Sequence, residues 1–133
     1  MTGLVVDTSA VLAILQREPG DEYLISALDA ATTRLISAAT SVELGIVVEA
    51  RLGAAGTEVV TSFLRDASVE IVPVDGDAAD RALTAWRRFG KGRHPAALNF
   101  GDCFSYALAD RTGLPLLCTG NDFAATDLDV VRP

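Results

Sequence analysis

Leu4-Val5-Val6-Asp7-Thr8-Ser9-Ala10 is the stretch on which the reading of this chain turns. A run of branched apolar residues suits a buried β-strand, because side chains branched at Cβ pack well on a pleated surface. The run ends on a carboxylate. Thr8 and Ser9 then offer capping hydroxyls ahead of Val11, Leu12 and Leu15, which recur at helical spacing. Asp7 therefore stands where a first parallel strand turns into a helix, the edge at which open α/β sheets bind ligands. Two roles compete for it: a helix cap, or one member of an acidic site. The choice depends on whether other acids reach the same edge.

The 133 residues read as one domain, 1–133, with half of them hydrophobic and few aromatic, so the core is built from Val, Leu, Ile and Ala. No apolar run is long enough to cross a bilayer, and Met1 stands directly before the strand, without room for a signal peptide. A soluble cytoplasmic protein with no membrane partner is expected. Cys103 and Cys118 lie in apolar surroundings and read as reduced core residues. With one histidine, His94, and no Cys-x-x-Cys pair, a zinc site of Cys and His is not indicated. A hydrolase of the Ser-His or Cys-His kind would depend on His94, which sits in a loop of Gly, Arg and Pro. The net charge of -7 argues against coating nucleic acid by charge alone. It does not exclude a nuclease, because carboxylates filled with divalent cations present positive charge to a phosphate.

Outward from the first strand, Glu18-Pro19-Gly20-Asp21 is a turn, with Pro19 in the first turn of a second helix whose buried stripe is Tyr23, Leu24, Ala27 and Leu28. Arg34-Leu35-Ile36 is a brief strand, and Ser37 caps a long helix through Val42, Ile46 and Val47 to about Gly53. Glu43 shares a face of that helix with Ala39, Ile46 and Val47. A carboxylate beside an inward stripe needs a partner or a metal; the alternative is a rim residue paired with an arginine. Another helix begins at Thr57, with Val59, Val60, Phe63 and Leu64 apolar. Glu70 to Val74 is a strand whose Pro73 places it near an edge or a strand end. Asp75 caps a helix with Ala78, Ala79, Ala82, Leu83 and Trp86 facing in. Arg87, Arg88, Lys91 and Arg93 follow, four of the eleven basic residues in one short segment. They form either a solvated helix end or a strip that contacts phosphates.

Asn99 is an N-cap, and Asp102 three residues later is either a capping-box member or a site acid. That helix runs to Gly113. Pro115-Leu116-Leu117-Cys118 is a second apolar strand, followed by Thr119-Gly120-Asn121-Asp122-Phe123, and Asp129-Val130-Val131 is the last. Asp122 either caps the short Ala124-Ala125 turn or joins the site. Strands alternating with helices imply an α/β fold with a mostly parallel central sheet flanked by helices in three layers. Its carboxyl edge gathers Asp7 and Asp122, and the Glu43 and Asp102 helices are able to close over it. Such crowded all-oxygen ligands suit Mg²⁺, with Mn²⁺ as the alternative.

The segments Val5-Val6-Asp7-Thr8-Ser9-Ala10, Ser41-Val42-Glu43-Leu44, Asn99-Phe100-Gly101-Asp102-Cys103 and Leu117-Cys118-Thr119-Gly120-Asn121-Asp122-Phe123 resemble, in order and spacing, the PIN domain. More narrowly they resemble the VapC ribonuclease toxins of toxin–antitoxin pairs. The resemblance covers nearly the whole chain. It implies a metal-dependent endoribonuclease cutting structured RNA such as tRNA or rRNA, a homodimer, and a cognate VapB-type antitoxin whose tail occupies the active-site groove. Carried over, Asp7 and Asp102 are the main Mg²⁺ ligands, and Glu43 is a ligand or holds a metal-bound water. Asp122 is the fourth acid, and Thr8, Thr119 and Asn121 support the site. The expected reaction is in-line attack of metal-activated water on an RNA phosphate, leaving 5′-phosphate and 3′-hydroxyl ends. The rivals are a non-catalytic PIN module that binds RNA or protein, and a metal-dependent DNA nuclease or phosphatase.

Overall fold

In the computed structural model, residues 3–133 are described; Met1, set directly before the strand in the sequence, lies outside them together with Thr2. The strands are β1 (Gly3–Val6), β2 (Thr33–Ser37), β3 (Glu70–Val72), β4 (Leu116–Leu117) and β5 (Val130–Val131). The helices are α1 (Thr8–Leu15), α2 (Asp21–Ala30), α3 (Ala38–Leu52), α4 (Ala55–Asp66), α5 (Gly76–Phe89) and α6 (Phe100–Thr112). All strand pairs are parallel, in the order β3-β2-β1-β4-β5.

β1 is central and buried along its whole length, which is why its sequence is a continuous apolar run and not an alternation. Its side chains still divide between two faces. Leu4 and Val6 join Val11, Leu24, Ile36 and Leu44 in one core, under α1 to α4. Val5 joins Phe89, Leu98, Tyr106, Leu116 and Cys118 in the other, under α5 and α6. These are the three layers the element pattern implies, and β3 is the edge strand that Pro73 signals. From β1 the sheet grows toward β2 on one side and β4 on the other. The crevice beyond the carboxyl ends of β1 and β4 is thus the topological switch point. It receives Asp7 from one strand and residues 119–122 from the other.

Several boundaries and faces differ from the sequence reading. α2 begins after Gly20, whose φ of 94° no proline adopts, so Pro19 precedes the helix. α4 starts at Ala55, and a Cβ on Gly56 would lie 2.8 Å from the Glu49 backbone, so glycine permits the close crossing of α3 and α4. The inward stripe of α3 is Thr40, Leu44 and Val48, whereas Val42 and Ile46 are exposed. On α5 the buried residues are Ala82, Ala85 and Phe89, and Leu83 and Trp86 are exposed; on α2 Tyr23 is exposed. Helical period marks an apolar face but not what covers it. Cys103 and Cys118 are buried and free, as expected. Among the described residues no helix is long and apolar enough to cross a membrane.

Candidate metal and phosphodiester site

Asp7, 2% exposed, is a helix cap that also stands at the carboxyl edge of the sheet. It caps α1 with its own side chain, so Thr8 and Ser9 are not the caps: Oδ2 accepts the Ser9 N–H at 3.0 Å and the Ser9 hydroxyl at 2.7 Å. Its Oδ1 accepts the Ser105 hydroxyl at 2.6 Å. The Ser9 oxygen in turn accepts the Thr119 N–H at 3.1 Å, tying the β1 turn to the β4 turn. A carboxylate that accepts donors on both oxygens is fixed in rotation, and Oδ1, with one donor against two on Oδ2, keeps a free lone pair.

Glu43 stands at the edge of the inward stripe of α3. The Thr8 hydroxyl donates to its Oε1 at 2.6 Å, so its partner is a hydroxyl and not an arginine. Its carboxylate packs onto Gly101, where any Cβ would collide with it. The glycine in Asn99-Phe100-Gly101-Asp102 thus makes the room that lets α3 and α6 bring their acids together.

Asp102 is a capping-box member that also lies in the field of the other three acids. It completes a capping box with Asn99, each side chain accepting the other's N–H at 2.8 and 3.0 Å. Its pKa is pushed up to about 6. Burial is the largest cause, the bond from the Asn99 N–H works the other way, and the charges of Asp7, Glu43 and Asp122 push it further up. The four acids, drawn from two strand ends and two helices, therefore share one electrostatic field. Among the described residues no three acids, cysteines or histidines stand close enough together to enclose an ion as they are.

The donor set fits a hard divalent cation. Burial, then the charge of Asp102, pushes the Cys103 thiol up to about 11; burial, then the charge of Asp7, pushes Cys118 up to about 12. Both stay protonated at neutral pH and are poor ligands for a soft metal. His94 is turned away: its Nδ1 accepts the Ala96 N–H at 3.0 Å and its ring packs edge-on against Phe89. Carboxylate oxygen is what remains.

The raised Asp102 pKa predicts how the metal-free protein responds to pH. Unfolded, this group ionises near the ordinary carboxylate value; folded, it holds its proton to about 6. Between those values the folded state binds more protons, so the Asp102 contribution to stability falls as pH rises and is lost above about 6. Thermal melts with chelator from pH 4 to 8 should show this decline in the wild type. Asp102→Asn should lack that component.

The remaining candidates are placed less uniformly. Asp122 precedes a 3-10 turn (Phe123–Ala125), but its side chain makes no capping bond and is exposed, so the capping alternative is not what the fold uses. Asn121 is turned toward the C-terminal segment, its Oδ1 accepting from Arg132 at 2.9 Å. Thr119 contributes through its N–H. The basic segment does not form one strip. Arg88 reaches Asp127 at 3.3 Å and the Tyr106 hydroxyl at 3.4 Å, and Arg93 folds over Trp86, 4.7 Å from the ring. Arg87 and Lys91 are exposed, Lys91 on the rim of a groove of about 550 Å³ between α5 and α6. That groove is lined by Leu83, Trp86, Leu98, Phe100 and Phe104, so it borders the acids at Asn99 and does not contain them. Thr40 and Ser105, both 1% exposed, are the polar residues the sequence reading missed. The sequence marks them only as hydroxyls three residues from a candidate site acid; their mutual contact comes from the fold.

A PIN-domain family model matches residues 4–128. A "Ribonuclease VapC" of Mycolicibacterium smegmatis is 49% identical over 97% of this chain and all of its own length. The "Ribonuclease VapC30" of Mycobacterium tuberculosis is 47% identical over 96% of this chain and 98% of its own. Among solved structures, the sarcin-ricin loop cleaving toxin VapC20 of Mycobacterium tuberculosis superposes with a TM-score of 0.77, covering 98% of this chain and 99% of its own, at 20% identity. The DNA-bound VapBC of Salmonella typhimurium gives 0.73, covering 99% and 98%, at 16% identity. Fold and acidic edge define a PIN-type nuclease domain. The chain belongs to the PIN-domain family and, within it, to the VapC ribonucleases, whose members are metal-dependent.

Proposed function

We propose that residues 1–133 form one Mg²⁺- or Mn²⁺-dependent endoribonuclease domain, the toxin of a toxin–antitoxin pair, which cuts structured RNA in the cytoplasm. The observation that carries this reading is the convergence on Asp102 of three further carboxylates from separate elements, without a usable thiolate or imidazole. Asp7 and Asp102 would hold the ion, with Glu43 and Asp122 binding directly or through water. A divalent ion there supplies charge to grip a phosphodiester, to lower the pKa of a water and to stabilise the departing alkoxide.

The protein's own part is placement. Asp7 is held from both sides by serine donors, and Glu43 is held by Thr8. Burial first, and the neighbouring acids after it, disfavour the ionised form of Asp102, and a cation would offset both. Lys91 lies exposed on the α5–α6 rim and Arg87 is exposed near the end of α5, where a phosphate backbone can reach them. Val42 and Ile46 on α3, 60% and 65% exposed, and Phe100, 81% exposed, are large apolar side chains left uncovered by this chain. They support cover by a second copy and by a VapB-type antitoxin.

The test is cleavage of total RNA and matched single-stranded DNA at one ionic strength, with Mg²⁺, with Mn²⁺ and with chelator. RNA should be cut only with metal, leaving 5′-phosphate and 3′-hydroxyl ends, and a co-expressed antitoxin should silence it. Binding of RNA without metal-dependent cleavage would instead identify a non-catalytic module. Preferential cutting of DNA would identify a DNA nuclease.

A further inference from the structure

Thr40 on α3 and Ser105 on α6 are buried to 1% exposure, and their oxygens lie 3.2 Å apart. Ser105 also lies 2.6 Å from Asp7 Oδ1. Counting protons sets the direction of this chain. An ionised carboxylate only accepts, so the single Ser105 proton goes to Asp7. Thr40 must then be the donor to Ser105. The order is Thr40 to Ser105 to Asp7, and it joins α3, α6 and the end of β1.

The register of the two helices gives the pair its meaning. Thr40 lies three residues before Glu43, and Ser105 three after Asp102, so each hydroxyl shares a helical face with a site acid. The two helices that bring Glu43 and Asp102 to the edge are thus fastened beneath it, through Asp7. Ser9 fixes the opposite Asp7 oxygen at 2.7 Å. The carboxylate is clamped, and the Oδ1 half of the clamp comes from the acid-bearing helices themselves.

We propose that Thr40 and Ser105 are positioning residues that set the rotation of the Asp7 carboxylate and thereby the affinity of the site for a divalent cation. The proposal rests on the reading of Asp7 as an ion ligand. Neither hydroxyl touches the ion; each acts through Asp7. Groups that orient a metal-binding carboxylate commonly change affinity by about 10–100-fold when removed.

The experiment measures Mn²⁺ binding to the full chain without RNA, by the electron paramagnetic resonance signal of free Mn²⁺, beside a thermal melt of each metal-free variant. Ser105→Ala should weaken Mn²⁺ binding about tenfold. Thr40→Val, which keeps the shape and removes the hydroxyl, should weaken it by about threefold or more, being one bond further away. Thr40→Ser, which keeps the hydroxyl and loses a buried methyl, should bind Mn²⁺ like the wild type although it melts lower. A purely structural role predicts the opposite order, with Thr40→Ser the worse variant in both measurements. Wild-type affinity in both Thr40→Val and Ser105→Ala, with Asp7→Asn clearly weakened, overturns the positioning role alone. Unchanged affinity in Asp7→Asn overturns the ligand assignment beneath it. If Ser105→Ala fails to fold, the two Thr40 variants decide the matter.

Discussion

Asp102→Asn should abolish RNA cleavage and at the same time make the metal-free protein more stable. Holding the carboxyl at about 6 instead of its ordinary value corresponds to about 3 kcal/mol of penalty on the ionised form. Asp102 is partly solvent-exposed, and screening trims this to about 1–2 kcal/mol at neutral pH. Asparagine removes the charge, and its amide oxygen can still accept the Asn99 N–H that closes the capping box. The cost of the lost cap is therefore small, and the relief of burying a charge, with that of like-charge repulsion after it, remains. For a chain of this length the gain is about 3–8 °C in the melting temperature. Activity moves the other way: loss of one ligand charge should lower cleavage at saturating RNA by about 10²-fold or more. Excess Mg²⁺ should narrow the stability gap, because the ion stabilises only the wild-type carboxylate cluster. A variant that melts below the wild type in chelator would show that Asp102 is held mainly by its cap and not strained by its neighbours.

This opposition between stability and activity explains what could be read in advance. The fold was legible because strand, turn and cap signals agree along most of the chain. The apolar run before Asp7, Ser37 ahead of α3, Asp75 ahead of α5 and Asn99 ahead of α6 each stand where the structure uses them. The acids were legible for a related reason: a carboxylate at a strand end or beside an apolar stripe is costly enough to need a purpose.

What the sequence could not separate was a cap from a site acid. Asp7 and Asp102 are both caps, and the proposed site uses them as well, since backbone N–H groups at a helix start and a cation attract the same oxygens. Faces were misjudged where apolar residues are left uncovered by this chain, as at Ile46, Leu83 and Trp86. The basic segment stayed between two readings because adjacency in sequence does not fix direction. Arg88 is drawn to Asp127 and Arg93 to Trp86, and neither contact has a local signal. Thr40 and Ser105 escaped notice because a single hydroxyl on a helix is unremarkable until its distant partner is known.

Asp7→Ala should also abolish cleavage, but it should destabilise the fold by about 2–4 kcal/mol, opposite in sign to Asp102→Asn. The methyl group removes the cap of α1, which alone costs about 1 kcal/mol. It also leaves the Ser9 hydroxyl and the Ser105 hydroxyl without their acceptor, the latter in a fully buried position. Each buried donor left unsatisfied adds about 1–3 kcal/mol, less whatever the hydroxyls recover by turning toward Thr40 or toward water. Asp7→Asn should fall between, inactive yet folded. Its amide oxygen can serve Ser9 while its NH₂ donates to Ser105, whose proton is then free to turn to Thr40. The expected order of metal-free stability is Asp102→Asn above wild type, then Asp7→Asn, then Asp7→Ala, with all three variants inactive. Urea midpoints in chelator, read beside cleavage of one RNA, check the order. If Asp7→Ala were as stable as the wild type, the serine clamp would contribute little, because the repulsion relieved by removing its charge would match the bonds lost. If it cleaved RNA with wild-type metal dependence, the site would have to be centred on other acids.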